Sequence, residues 1–276
     1  VIRFGKIFLK PPTSIQVDEV SQSIYVTGCN YLGFQLDTFN IPSKSVFLVK
    51  VRYDGTIDWV KWASSAYQGT GTARIFPGDL HLQDQTSIQW FFSSRDSILF
   101  NNQSFAPAAY LMGLQADGNL ISMVPVMQGV DAIEFSSSEM EHLFVAESWN
   151  DTIFLGDTTF VSIASNNAIY CKFDTAFQLI WSKVVGETGL AIPANGTLDL
   201  DGSSYCTGMF MNSILIGNDT FQTLNPSIPD LFLCKFDSLG ELMWVKRSES
   251  NGTSGASVIG LTSVRSGSLY ATGYFS

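Results

Sequence analysis

The chain has 276 residues, with 25 acidic against 15 basic side chains and a formal net charge of −10 at pH 7. The basic residues are scattered rather than clustered, which argues against a surface that tracks nucleic-acid phosphates or an anionic membrane and leaves solubility through mutual repulsion as the plain meaning of the charge. Hydrophobic residues make up 45% of the chain and charged residues 14%, the composition of an ordered globular protein, and no apolar run approaches the roughly 18 residues of a membrane-spanning helix.

From the N-terminus, Val1 to Lys10 reads as a strand or two. A repeating order of segments follows. Alternating apolar residues open a unit, as in Ile15-Gln-Val17 and Ala132-Ile-Glu-Phe135, and predict a half-buried strand. A second strand comes after a polar turn: Ile24 to Gly28, Leu143 to Ala146, Ser204 to Gly208 and Leu269 to Gly273, with a weaker counterpart near Ile88 to Phe92. A short loop ending in Phe39, Phe105, Phe160 or Phe221 leads to a third strand. That strand is anchored by Phe47-Leu-Val-Lys50, Tyr110-Leu-Met-Gly113, Tyr170-Cys-Lys172 and Phe232-Leu-Cys-Lys235. Lys50, Gly113, Lys172 and Lys235 stand 63, 59 and 63 residues apart. A period of this size in a strand-rich chain points to repeated β units, most simply the blades of a propeller.

The last hairpin of each unit is the most regular. Five residues after the anchor stand Gly55, Gly118, Phe177 and Gly240; nine after it, Trp59, Ser122, Trp181 and Trp244. A tight turn at Asp54-Gly55 puts Lys50 across from Trp59. By the same arithmetic Lys172 faces Trp181 and Lys235 faces Trp244, structural cross-strand pairs in which the Lys stem and ammonium stack on the indole. The second unit loses both partners together, to Gly113 and Ser122.

The run Tyr205-Cys-Thr-Gly208, followed by Phe232-Leu-Cys-Lys-Phe-Asp-Ser-Leu-Gly-Glu-Leu-Met-Trp-Val-Lys246, resembles the SBBP-type β-propeller repeat. The resemblance spans about residues 14–276; the second unit, with Pro125 in its last strand, departs most. It implies four-stranded blades on secreted, surface or viral structural proteins, and no shared active site. The expected architecture is one all-β propeller domain over residues 1–276. Its units cover about 14–66, 72–128, 130–186 and 190–248, with a partial fifth formed by 256–276 together with 1–13. The alternative is a fragment of a larger propeller.

No catalytic constellation is legible. Cys29, Cys171, Cys206 and Cys234 form no CxxC and read as buried small hydrophobes, with a cross-strand Cys206–Cys234 disulfide as the alternative. His81 and His142 sit near polar turns without a named partner and read as solvated loop residues. Asp199 with Asp201-Gly202 reads as a β-turn rather than a calcium loop. The spacing of Asp237, Gly240 and Trp244 is wrong for a sialidase Asp-box, and the adjacent cysteines of quinoprotein blades are missing. No cofactor or metal site is therefore expected.

Asn102, Asn150, Asn195, Asn218 and Asn251 begin N-x-[ST] sequons in predicted turns and are the candidate glycosylation sites. The loops Ala63 to Ala73, with Tyr67 as its candidate binding residue, and Thr223 to Pro229 have the adaptable composition of binding loops. The expected function is a non-catalytic surface or structural interaction module on a cell exterior, filament or virion surface. Its expected partners are protein or glycan at the loop faces, or neighbouring subunits. The alternative is a propeller-class carbohydrate-active enzyme, a glycan hydrolase or lyase with converging carboxylates.

Overall fold

The computed structural model describes residues 14–67, 69, 74–83, 86–138, 141–148, 152–155, 158–161, 167–186, 189–249, 256–263 and 268–275. The described residues form 26 strands and no helix, so the protein is all-β and no helix is long and apolar enough to cross a membrane. Residues 1–13, expected to contribute to a fifth sheet, lie outside the described residues. The chain divides into two compact units, Val1–Ala132 and Ile133–Ser276.

In the first unit, the strands β1 (Ser14–Asp18), β2 (Ser23–Asn30), β3 (Phe34–Leu36), β4 (Phe39–Ile41), β5 (Ser45–Arg52) and β6 (Ile57–Ser65) make the first repeat. The second has β7 (Ile75–Leu82), β8 (Ser87–Ser94), β9 (Ile98–Phe100), β10 (Gln103–Phe105), β11 (Ala108–Gln115) and β12 (Leu120–Gln128). Each repeat builds a four-stranded antiparallel sheet, β1-β2-β5-β6 and β7-β8-β11-β12. The two sheets share a core in which Tyr25, Val46 and Leu48 meet Trp90, Phe92, Tyr110 and Met112. The weak second strand near Ile88 to Phe92 is β8, and it is the most buried of its sheet. Both of its faces are buried, and Gln89, Ser93 and Ser94 are buried along with Ile88 and the aromatics, so no apolar–polar alternation marks it.

The second unit repeats the plan. Its first sheet takes β13 (Val130–Ser137), β14 (Glu141–Ser148), β17 (Ala168–Asp174) and β18 (Leu179–Val185), and the hairpin β15 (Thr152–Leu155) and β16 (Thr158–Val161) comes between β14 and β17 in the chain but not in that sheet. Its second sheet takes β19 (Leu190–Leu198), β20 (Ser204–Met211), β23 (Asp230–Phe236) and β24 (Leu242–Arg247), with β21 (Ser213–Ile216) and β22 (Asp219–Gln222) inserted likewise. β25 (Ala256–Ser263) and β26 (Leu269–Phe275) form a two-stranded sheet. The core joins Leu143, Val145, Tyr170 and Trp181 to Cys206, Phe232, Cys234 and Phe236.

The short loop ending in Phe is a hairpin in every repeat, a feature the sequence reading treats as a connection. β3–β4 lays Phe34 and Phe39 over the face of the first sheet that carries Phe47 and Val49, with the Phe34 and Phe47 rings edge to face at 5.3 Å. β9 also pairs with the outer strand of the preceding sheet, Ser64 opposite Leu99 and Ser65 opposite Ile98. Gly186 bridges to Leu215 of β21 in the same sense. Such pairing covers an edge strand that would otherwise offer unpaired backbone groups.

The closing hairpins differ in one respect from a two-residue turn. Arg52 N–H donates to Thr56 and Gly55 N–H donates to Arg52, at 2.8 and 2.9 Å. Gly55 takes φ +91° and the register shifts after Lys50. This is a type I turn followed by a left-handed residue and a bulge. Gly118 and Gly240 take φ +85° in the same place, and Phe177 adopts +58° there. The Asp of the Phe-Asp-x-x-Gly run stabilises the turn locally: Asp237 Oδ1 accepts from Leu239 N and Glu241 N at 2.9 and 2.8 Å.

Candidate functional site

Two constructions of functional interest emerge, a clasp between successive sheets and a polar cleft. The register places Lys50 opposite Trp59, Lys172 opposite Trp181 and Lys235 opposite Trp244. The expected stacking of Lys on the indole is not what forms. The ring beneath the ammonium belongs to the other neighbouring strand: Lys50 Nζ lies 5.5 Å from the Tyr25 centroid and Lys235 Nζ 4.9 Å from that of Tyr205. The Tyr of the Tyr-x-Thr-Gly strand is the cross-strand partner of the anchor Lys in both sheets, and its ring face is free to receive the charge. Lys172, which faces Leu143 instead, bonds Glu141 Oε2 at 2.7 Å while fully buried.

Freed from the indole, Lys and Trp reach the next sheet. Lys50 Nζ and Trp59 Nε1 both donate to the carbonyl of Ala116 at 3.1 Å, one residue into the β11–β12 turn. A Cβ on Gly118 of that turn would lie 3.0 Å from Trp59 Cδ2. In the second unit Lys172 Nζ donates to Gly202 and to Ser238, the latter at 3.3 Å. Ser238 occupies the same turn position in the β23–β24 hairpin. A Cβ on Gly240 would lie 2.6 Å from Trp181 Cγ. The Lys, Trp and Gly columns thus describe one contact: the pair of one sheet grips the glycine turn of the next. Gly113 and Ser122 of the second repeat lack the gripping side chains, and Phe177 stands in the glycine column of the third. Phe177 stacks instead on His142 at 4.8 Å and 12°.

The cleft lies in the first unit, at the seam where β6 pairs with β9. It encloses about 740 Å³ and is lined by Lys44, Lys61, Trp62, Ser64, Tyr67 and Asn102 among others. Among the described residues no carboxylate lines it. Lys44, itself at φ +58°, holds its ammonium 4.7 Å from the Tyr67 centroid and donates to the Tyr67 carbonyl at 3.3 Å. Beneath, Asp96 is 8% exposed; it accepts from Arg74 at 2.7 Å and from Ser65 at 3.2 Å, and Ser65 Oγ accepts from Tyr67 N at 3.1 Å. This network fixes the chain that carries Tyr67 while its charge is spent on Arg74. The described lining is a polar groove that carries the Lys44 and Lys61 side chains beside Trp62 and Tyr67, a composition suited to holding a ligand.

The other expected residues fall as follows. Tyr67 is 42% exposed, but Ala63 to Ser65 of its expected loop belong to β6. Asn102 and Asn218 occupy equivalent exposed turns, of β9–β10 and β21–β22. Asn195 is not in a turn: it sits at a bulge of β19 and its Oδ1 accepts from Leu261 N at 2.9 Å. Asn150 and Asn251 lie outside the described residues. The histidines are not solvated loop residues, since His142 is buried in β14 and His81 partly buried in β7. The four cysteines are free and buried. Cys206 and Cys234 are register partners, but Cys234 Sγ–H donates to the Cys206 carbonyl at 3.4 Å instead of bonding its sulfur.

Lys44, Trp62 and Asn101 escaped the sequence reading because they sit outside the regular columns. The Tyr–Lys pairing carried no such signal, because Tyr25 and Lys50 are 25 residues apart and Tyr205 and Lys235 are 30.

No family model matches the chain, and no curated protein matches it. Among solved structures it is similar to a crystal structure of a protein of unknown function from Bacteroides caccae, at 9% identity and a TM-score of 0.30, over 87% of this chain and 82% of that one.

Proposed function

We propose that the chain is a non-catalytic interaction module: a β-propeller whose blades are the four-stranded sheets, holding a ligand in the Lys44–Trp62–Tyr67 cleft. The single observation that carries the reading is the lining of that cleft. It offers two aromatic faces, two ammonium groups and a rim of Ser and Asn amides and hydroxyls. Flat rings stack on sugar or peptide faces, and the polar rim supplies directional hydrogen bonds. With Lys44 and Lys61 present and no carboxylate among the described residues of the wall, the favoured ligand is a glycan or peptide segment that is neutral or carries a carboxylate. An extracellular, cell-surface or virion setting fits the sequons, with Asn102 on the cleft rim and Asn218 in a matching exposed turn.

The test is a binding screen of the purified chain against glycan and peptide arrays, repeated with Trp62→Ala and Tyr67→Ala. The reading expects a hit that both substitutions weaken by roughly tenfold or more, the scale of an aromatic anchor, with the ligand recovered chemically intact. Cleavage of the bound glycan would replace it with the hydrolase or lyase reading. Hits indifferent to both substitutions would remove the cleft from the account.

A further inference from the structure

The Tyr-x-Thr-Gly strand is a socket, and the complete sheets show what fills it. Thr27 and Thr207 are buried and donate to the carbonyls of Phe47 and Phe232 at 3.0 and 2.6 Å. Gly28 and Gly208 leave room for those same Phe rings, since a Cβ on either would approach them to 3.1 and 2.8 Å. Tyr25 and Tyr205 are 1% and 6% exposed beneath the Lys that follows Phe by three residues. The hairpin that supplies Phe232 and Lys235 ends in the turn at Gly240, which Trp181 of the preceding sheet grips.

β26 writes the same letters, Tyr270-Ala-Thr-Gly273, and it is held in place. β25 pairs with it and is fastened to β19 by Leu261 N–H donating to Asn195 at 2.9 Å and Ser263 Oγ–H donating to the Leu198 carbonyl at 2.7 Å. Yet Tyr270 is 60% exposed, and Thr272 and Gly273 are exposed as well. Among the described residues no strand pairs with the other edge of β26. The clasp of the preceding sheet is in the same condition. Among the described residues Lys235 Nζ meets Asp199, Asp201 and Tyr205, with the carboxylates at 3.9 and 3.7 Å. Trp244 is partly exposed and its indole N–H donates to no described residue.

We propose that β26, Lys235 and Trp244 form one docking surface for a β-hairpin of this repeat's own type, taken up by strand addition. The occupant is defined by its sockets. It has an extended strand with Phe to lie over Gly273 and accept from Thr272, a Lys three residues on to lie over Tyr270, and a type I turn. The turn's second residue presents a carbonyl to Lys235, and its glycine lies against Trp244. This chain carries such a hairpin in Phe47 to Lys61, whose Gly55 has open space where a Cβ would stand.

The experiment titrates a fluorescent synthetic peptide of residues Phe47 to Lys61 against the full chain and reads anisotropy. Saturable binding is expected, lost by roughly tenfold or more with Trp244→Ala and likewise with Gly273→Val, which fills the Phe seat at an exposed position and leaves the melting temperature unchanged. A peptide with Phe47→Ala should also bind more weakly. Absence of binding, or binding indifferent to all three changes, overturns the proposal. So does a lowered melting temperature of the Trp244→Ala chain combined with no peptide binding, because the surface would then already be filled by residues 1–13.

Discussion

Adding one methyl group to the glycine column separates the clasp from the turn that presents it. Gly55, Gly118 and Gly240 share the left-handed backbone, at φ +91°, +85° and +85°, so Ala costs each of them about 1–2 kcal/mol in conformation alone. Their surroundings differ. The new Cβ meets nothing within 4 Å at Gly55, lies 3.0 Å from both Trp59 Cδ2 and Lys61 Cε at Gly118, and lies 2.6 Å from Trp181 Cγ at Gly240. Trp181 is buried and cannot swing away, which adds an overpacking cost of about 1–3 kcal/mol. Lys61 is a flexible stem and yields part of the strain at Gly118. The expected order of destabilisation is Gly240→Ala, then Gly118→Ala, then Gly55→Ala, with about 1–3 kcal/mol between the extremes. Urea unfolding followed by Trp fluorescence and circular dichroism measures it. Equal losses at Gly55 and Gly240 would refute the reasoning, because only the turn conformation would then matter.

Lys172→Met removes a fully buried ammonium from Glu141 and strands that carboxylate with two carbonyl groups. A loss of about 3–5 kcal/mol is expected, and Lys50→Met should cost less because Lys50 is 12% exposed and its carboxylate partner Asp58 stands at 3.8 Å. A thiol reagent should find no reactive cysteine in the native chain and four after unfolding, since all four are free and buried and burial pushes the Cys171 thiol up. Rapid native labelling would contradict the packing. Burial depresses the His81 imidazole below its usual 6.5. As pH falls below 6.5 the unfolded chain takes up the proton first, so the stability the neutral ring contributes is full above that pH and is lost down through the depressed folded value. His81→Gln should therefore shrink the difference between urea midpoints at about pH 7.5 and pH 5.5, and an unchanged difference would place the acid sensitivity elsewhere.

Much of the scaffold was legible because a hairpin constrains both of its strands. Once Gly55 marks the turn, the partner of Lys50 is determined, and the register agrees at Trp59, Trp181 and Trp244. The target of those side chains was not legible. Lys50 and Ala116 are 66 residues apart, as are Lys172 and Ser238, and nothing local in either segment encodes the meeting. The joint loss of Lys and Trp from the second repeat, beside the Phe177 that replaces the third repeat's glycine, was the available trace, and it reads as a cross-strand contact until the turn of the next sheet is seen. The inserted hairpins were missed for a different reason. Strands of three or four residues, such as Ile98–Phe100, are too short to show a period, and their support is not local: β9 pairs with the edge of β6, and β3–β4 packs on the face of its sheet. Asn195 read as a turn residue because Asn-Gly is turn-forming. Here the pair follows a bulge at Ala194 within β19, and the Asn195 side-chain oxygen fastens β25.

The measurement that bears most directly on the account is a double-mutant cycle between Trp181→Ala and Gly240→Ala. If Trp181 grips the turn at Gly240, the methyl group that costs about 2–5 kcal/mol beside the indole should cost only the conformational 1–2 kcal/mol once the indole is gone, a coupling of about 1–3 kcal/mol. Additivity within about 0.5 kcal/mol, as between residues that do not touch, would contradict the clasp.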